Sequence, residues 1–88
     1  MDELHDSIRK LLVNDLFVDI PEKEIGADDS LRSVMGLDSL GFVELRVQCE
    51  ETFGIRISDE EFSPGNFTSV RTVSELVRRL QAARGADA

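Results

Sequence analysis

Apolar residues return at helical spacing in three stretches of the chain. Between Asp2 and about Phe17, Leu4, Ile8, Leu11, Leu12 and Leu16 share one side while Glu3, Asp6, Arg9, Lys10 and Asp15 fill the other, which predicts an amphipathic first helix. Ile20-Pro21 stops any continuation, because proline pushes the residue before it out of the helical region. From Ser39 to about Thr52 a second helix is expected. Leu45, Cys49 and Phe53 recur every four residues toward a core, and Leu40, Val43 and Val47 form a second apolar row. A helix apolar on two sides either sits centrally in a bundle or shows one row to partners, so Val43 and Val47 either pack under a loop or stay exposed. From Val70 onward Val73, Leu76, Val77 and Leu80 restore the period, with Ser69 as the expected N-cap or Thr72 and Glu75 as a capping box one turn later.

The stretches between these helices carry their own signals. Residues 18–37 hold Pro21, Gly26, Asp28-Asp29 and Gly36, a long connection that needs anchors, and Ile25, Leu31, Val34 and Leu37 are the apolar candidates. Ser30 to Val34 has room for one helical turn. Gly54 fits the residue just past the end of the second helix, after which Ile55 and Ile57 return to the core. Ser58-Asp59-Glu60-Glu61 is a capping box that predicts a short third helix, halted by Ser63-Pro64-Gly65-Asn66. No segment alternates with period two for long enough to make a strand. The expected fold is all-α: a four-helix bundle of three longer helices and one short one, with a long loop between the first two. It is one domain over residues 1–88, its core about 3–82 and residues 83–88 a frayed tail.

Composition narrows the function. Eighty-eight residues allow only a thin core. With 41% hydrophobic and 32% charged residues and no long apolar run, the chain is neither disordered nor membrane-spanning. Met1-Asp2-Glu3 lacks the basic start and apolar stretch of a secretory signal, so a cytoplasmic location is expected, and the chain is separately expected to be a monomer. Cys49 is the only cysteine, which excludes an internal disulfide and a cysteine-rich metal site and suits a small core residue. A net charge of −8 argues against nucleic acid and suits either basic protein partners or simple solubility. Asp28 and Asp29 lack the calcium-loop pattern and read as solvated carboxylates. His5, the only histidine, sits at a polar helix start and reads as a solvent residue.

The chemistry concentrates at Gly36-Leu37-Asp38-Ser39-Leu40. Asp38 can cap the second helix, leaving Ser39 on its first turn facing solvent, where an anion on the hydroxyl would lie beside the positive end of the helix dipole. A hydrolase nucleophile turn needs glycine two residues before its serine, a strand leading into it and a base; here the glycine is three before and no strand is expected. A bare Asp-Ser cap would also suit an inert helical interaction module.

Gly36 to Leu40, followed by Val43-Glu44-Leu45 and Glu50-Glu51-Thr52-Phe53-Gly54-Ile55, resembles the Asp-Ser-Leu signature and second helix of the acyl carrier proteins. The resemblance runs from Leu4 to about Leu80. It implies a 4′-phosphopantetheine arm from coenzyme A on Ser39, between Asp38 and Leu40, carrying acyl groups as thioesters, with no bond chemistry by the protein itself. It also implies a docking face of Leu40, Val43, Glu44, Val47, Glu50 and Glu51, with Asp59 and Glu60 nearby. The implied partners are a phosphopantetheinyl transferase and acyltransferase, ketosynthase or ligase-type synthase enzymes with basic surfaces. Peptidyl carriers, the nearest alternative, generally show a Gly-Gly-x-Ser type motif. Gly41 and Arg46 depart from the fatty-acid carriers, and arginine outnumbers lysine; both point toward polyketide, antibiotic or other specialised biosynthesis.

Overall fold

Helical spacing becomes structure only where the apolar face finds something to cover it. The computed structural model describes residues 3–87, with side chains as far as Ala83. Among these residues the chain forms α1 (Glu3–Asn14), α2 (Ser39–Phe53) and α3 (Val70–Asp87), with a 3-10 turn at Glu22–Glu24 in the long loop after α1. The architecture is the all-α bundle expected. Ile8, Leu11 and Leu12 of α1 meet Leu45 and Cys49 of α2 and Val70, Val73, Leu76 and Val77 of α3 in one buried cluster. Each fully buried Leu or Ile side chain is worth about 1.5–3 kcal/mol. No helix among the described residues is long and apolar enough to cross a membrane.

The helix ends differ from expectation for local reasons. Whether α1 begins at Asp2 lies outside the described residues. It stops at Asn14 instead of continuing to Phe17, because the amides of Asp15 and Leu16 both turn back to the Leu11 carbonyl, at 2.9 and 3.2 Å. Phe17 then takes the left-handed backbone (φ 57°) that usually falls to glycine, with its ring 82% exposed. α3 runs past Gly85 to Asp87, into the stretch expected to fray; Gln81, Ala82, Ala83 and Arg84 are strong helix formers that carry it on. Ala88, the end of that expected tail, lies outside the described residues. Of the two starts expected for α3, Ser69 is the one used: its Oγ accepts from Thr72 N–H at 3.3 Å, and Thr72 Oγ1 accepts from Ser69 N–H at 3.0 Å.

After α2, Ser58 and Glu61 make the predicted capping box, Ser58 N–H donating to Glu61 Oε1 at 3.0 Å and Glu61 N–H to Ser58 Oγ at 3.1 Å. These bonds hold the Glu61 carboxyl below its ordinary range. The short helix expected there takes the form of one turn, closed by Phe62 N–H to Ser58 O at 2.9 Å. Ser63-Pro64 cuts it off.

The long loop is held by the anchors Ile25, Leu31 and Leu37, all buried. Val34 is not one of them. It is 50% exposed, and Met35 is buried in its place: Ser30 starts a helical turn, with Val34 N–H on Ser30 O at 3.0 Å, so the residue four after Leu31 faces inward with it. Asp28 is also not merely solvated. Its two oxygens accept from Arg71 Nε at 2.6 Å and Nη2 at 3.0 Å, while the Arg71 amide bonds the Ala27 carbonyl at 2.9 Å. Asp29 closes a turn on Gly26 N–H at 2.8 Å, and the described residues contain no cluster able to hold a metal ion.

The Arg71 hydrogen bonds hold the Asp28 carboxyl below its ordinary pKa. A lowered folded-state value means a contribution that is complete above the ordinary carboxylate pKa and is lost as pH falls through the lowered one. Asp28→Asn should therefore melt slightly below the parent at neutral pH in low salt and match it in acid or at high salt. Thermal melts at several pH values check this; identical Tm values throughout would leave the pair without effect.

Candidate functional site

Gly36 brings the chain into α2 through a left-handed turn (φ 72°), with open space where a side chain would stand. Leu37 follows, buried, its amide bonded to Leu31 O at 3.0 Å, so the residues next in line have a fixed starting point. Asp38 is extended (φ −101°, ψ −173°) and caps the helix: Oδ1 accepts from Gly41 N–H at 2.8 Å, and its carbonyl accepts from Phe42 N–H at 2.9 Å. The helix start read from sequence is correct. Ser39 is thus the first helical residue, exposed, and its hydroxyl makes no hydrogen bond among the described residues. Beyond the Asp38 cap the first turn carries no acidic side chain, so that carboxylate is the one local negative charge set against an N-terminal field equivalent to about half a positive charge.

Beside Ser39 lies an open cleft of about 520 Å³ between α2 and the segment leading to α3. Phe42, Val43, Phe62 and Phe67 give it apolar walls, and Arg32 stands at its polar side. The size falls within the range of small-molecule sites. A flexible arm fixed to Ser39 through an anionic linkage fits here on two counts: the helix end favours the anion, and the apolar cleft adjoins the point of attachment. A Cβ at Gly41 would come within 3.1 Å of Leu37 Cδ2 and 3.4 Å of Asp38 Oδ1, so the missing side chain makes room for the cap and its buried neighbour.

Along the outer face of α2, Leu40 is 80% exposed, Val43 49% and Val47 38%, so the loop does not cover this row. Glu44 and Glu51 share the exposed face, Glu44 accepting from Gln48 Nε2 at 2.9 Å. The other acids are differently placed. Glu50 is half-buried and accepts from Ile57 N–H at 2.8 Å, Asp59 pairs with Arg46 at 3.1 Å, and Glu60 is exposed. Cys49 faces the core, and burial, reinforced by neighbouring Glu50, pushes its thiol up to about 12. Sequence reasoning passed over Arg32, Phe42 and Phe62 as parts of this site. Phe42 follows the predicted cap by one turn and was within reach of a helical-wheel reading; the other two meet Ser39 only through the tertiary fold.

The chain matches the family model described as "Phosphopantetheine attachment site" over residues 6–80. It is 34% identical over 79 residues to the acyl carrier protein of Petrotoga mobilis, covering 90% of this chain and 85% of that one. It is also 34% identical over 71 residues to the acyl carrier protein of Rhodococcus erythropolis, covering 78% and 72%. The chain belongs to the phosphopantetheine-binding acyl carrier protein family. It is accordingly a carrier, not a catalyst, and its cofactor is phosphopantetheine.

Removing the cap should be felt locally and globally. Asp38→Ala is expected to lower stability by about 1 kcal/mol, and to speed exchange of the Gly41 amide, which loses its acceptor. Denaturant titration and hydrogen exchange measure both; unchanged stability would mean that the Asp38 carboxylate does not cap α2 in solution.

Proposed function

We propose that Ser39 is the residue that carries the 4′-phosphopantetheine arm, in a cytoplasmic carrier that hands acyl groups between biosynthetic enzymes. The observation that carries this is the exposed Ser39 hydroxyl, free of hydrogen bonds at the first turn of α2 and opening on the apolar cleft. Once attached, the arm supplies a terminal thiol on which acyl groups ride as thioesters. The chain's own residues do the rest. Asp38 fixes the first turn so that the Ser39 oxygen is presented at a constant position, and the helix amides that the cap does not take favour the phosphodiester. No base among the described residues is hydrogen-bonded to Ser39 Oγ, so its proton passes to a base on the transferase.

Docking falls to the outer face of α2. Leu40, Val43 and Val47 give apolar contact, and Glu44 and Glu51, with Glu60 beyond them, meet basic partner surfaces. Glu50 and Asp59 act at second hand, by holding the segment after α2 in place. The expected partners are a phosphopantetheinyl transferase and acyltransferase, ketosynthase or ligase-type synthase enzymes. Gly41 and Arg46 support a place in polyketide or other specialised biosynthesis, since both stand where fatty-acid carriers generally differ.

Incubation with a carrier-protein transferase and coenzyme A should add the mass of one arm to the parent and none to Ser39→Ala; a gain that survives Ser39→Ala would move the site elsewhere. Glu44→Lys should load severalfold more slowly in dilute buffer while keeping its fold. The gap should close near 1 M salt, where the screening length shrinks to about 3 Å. Parental rates for Glu44→Lys at every salt concentration would remove Glu44 from the docking face.

A further inference from the structure

Arg46 leaves α2 sideways and grips the segment that follows the helix. Nη2 donates to the Ile57 carbonyl at 2.6 Å, Nη1 pairs with Asp59 Oδ1 at 3.1 Å, and Cζ lies 5.1 Å from the centroid of the Phe62 ring. Phe62 in turn meets the buried ring of Phe67 edge-on, centroids 5.0 Å apart at 89°. The Asp59 side chain is 97% exposed, and an ion pair that open to water contributes little to stability. The planar guanidinium instead fixes a position: one fork sets a carbonyl, a carboxylate and a ring against α2. That ring is a wall of the cleft beside Ser39.

We propose that Arg46 is a positioning residue for the carried group: by holding Phe62 across the cleft, it shields acyl chains long enough to reach that wall and leaves short ones in solvent. The proposal rests on the carrier reading of Ser39. The occupant is the group borne by this same chain, because Ser39 itself lines the cleft and Phe42, Val43 and Phe67 add apolar wall to that of Phe62, beside the polar Ser30, Arg32, Ser63 and Thr68. Without Arg46, Phe62 keeps the Phe67 contact but loses its tie to α2, and the wall can swing outward.

The test loads the full chain with acetyl- or octanoyl-phosphopantetheine from the matching acyl-coenzyme A and follows cleavage by hydroxylamine. Its nitrogen attacks the thioester carbonyl, the arm's thiol leaves and a hydroxamate forms, so thiol release reports how exposed the carbonyl is. In the parent, octanoyl release should be roughly threefold slower than acetyl release, and Arg46→Ala should bring the two together while leaving the acetyl rate unchanged. Arg46→Lys keeps the charge but not the planar fork and should fall between them. Leu76→Val, which loosens the core without touching the cleft, should keep the parental ratio, separating position from stability. In the apo protein, the Phe62 amide should exchange faster in Arg46→Ala than in Leu76→Val. An equal octanoyl-to-acetyl ratio in the parent and Arg46→Ala, or a parental ratio of one, overturns the proposal. Should Arg46→Ala not fold, Phe62→Ala takes its place, and an unchanged ratio there overturns it equally. No mass gain at Ser39 in the parent would instead remove the carrier reading itself.

Discussion

The tie between the long loop and the start of α3 is the constraint on which the rest depends. Leu31 N–H bonds the Thr68 carbonyl at 2.9 Å, and Arg71 N–H bonds Ala27 O at the same distance. These satisfy backbone groups that would otherwise be stranded where loop and helix meet. From Leu31 the order passes along the chain: Leu37 bonds back to Leu31, Gly36 turns, Asp38 caps, and Ser39 stands at a set place on α2. A loop this long would ordinarily leave its end free to wander. Here the end of the loop is the candidate site, and these bonds anchor it.

α2 divides its residues between two tasks. Leu45 and Cys49 are fully buried, whereas Leu40, Val43 and Val47 on the other side stay in water. A small core tolerates this because, among the described residues, α1 and α3 supply seven of its seventeen buried apolar side chains and the connecting segments another eight. The same helix therefore serves as the central strut of the bundle and as its main apolar surface.

The three long helices, the Asp38 cap, the Ser58–Glu61 box and Gly54 were legible because each is decided within a few residues. Periodicity places Leu45 and Cys49 inward, and a capping residue is followed at once by the amides it serves. What escaped was set across distance. Asp28 and Arg71 lie 43 residues apart, and nothing near either one marks the pairing. Arg46 reads from sequence only as a departure from the fatty-acid carriers, and the fold alone supplies Ile57, Asp59 and Phe62 as its partners. Val34 and Met35 are equally apolar neighbours, and the choice between them turned on where the helical turn at Ser30 began. The 3-10 turn at Glu22–Glu24 rests on two bonds, Glu24 N–H to Pro21 O at 2.8 Å and Ile25 N–H to Glu22 O at 3.3 Å.

Cys49 gives the bundle a chemical silence that suits its work. Acyl groups held as thioesters pass readily to any nearby thiolate, and a cysteine on the surface would divert them onto the protein itself. With its only cysteine at 0% exposure and the thiol pushed up to about 12, the chain holds almost no thiolate of its own at neutral pH. The cargo has no wrong address within the carrier, and its fate is left to the enzymes that come to meet it.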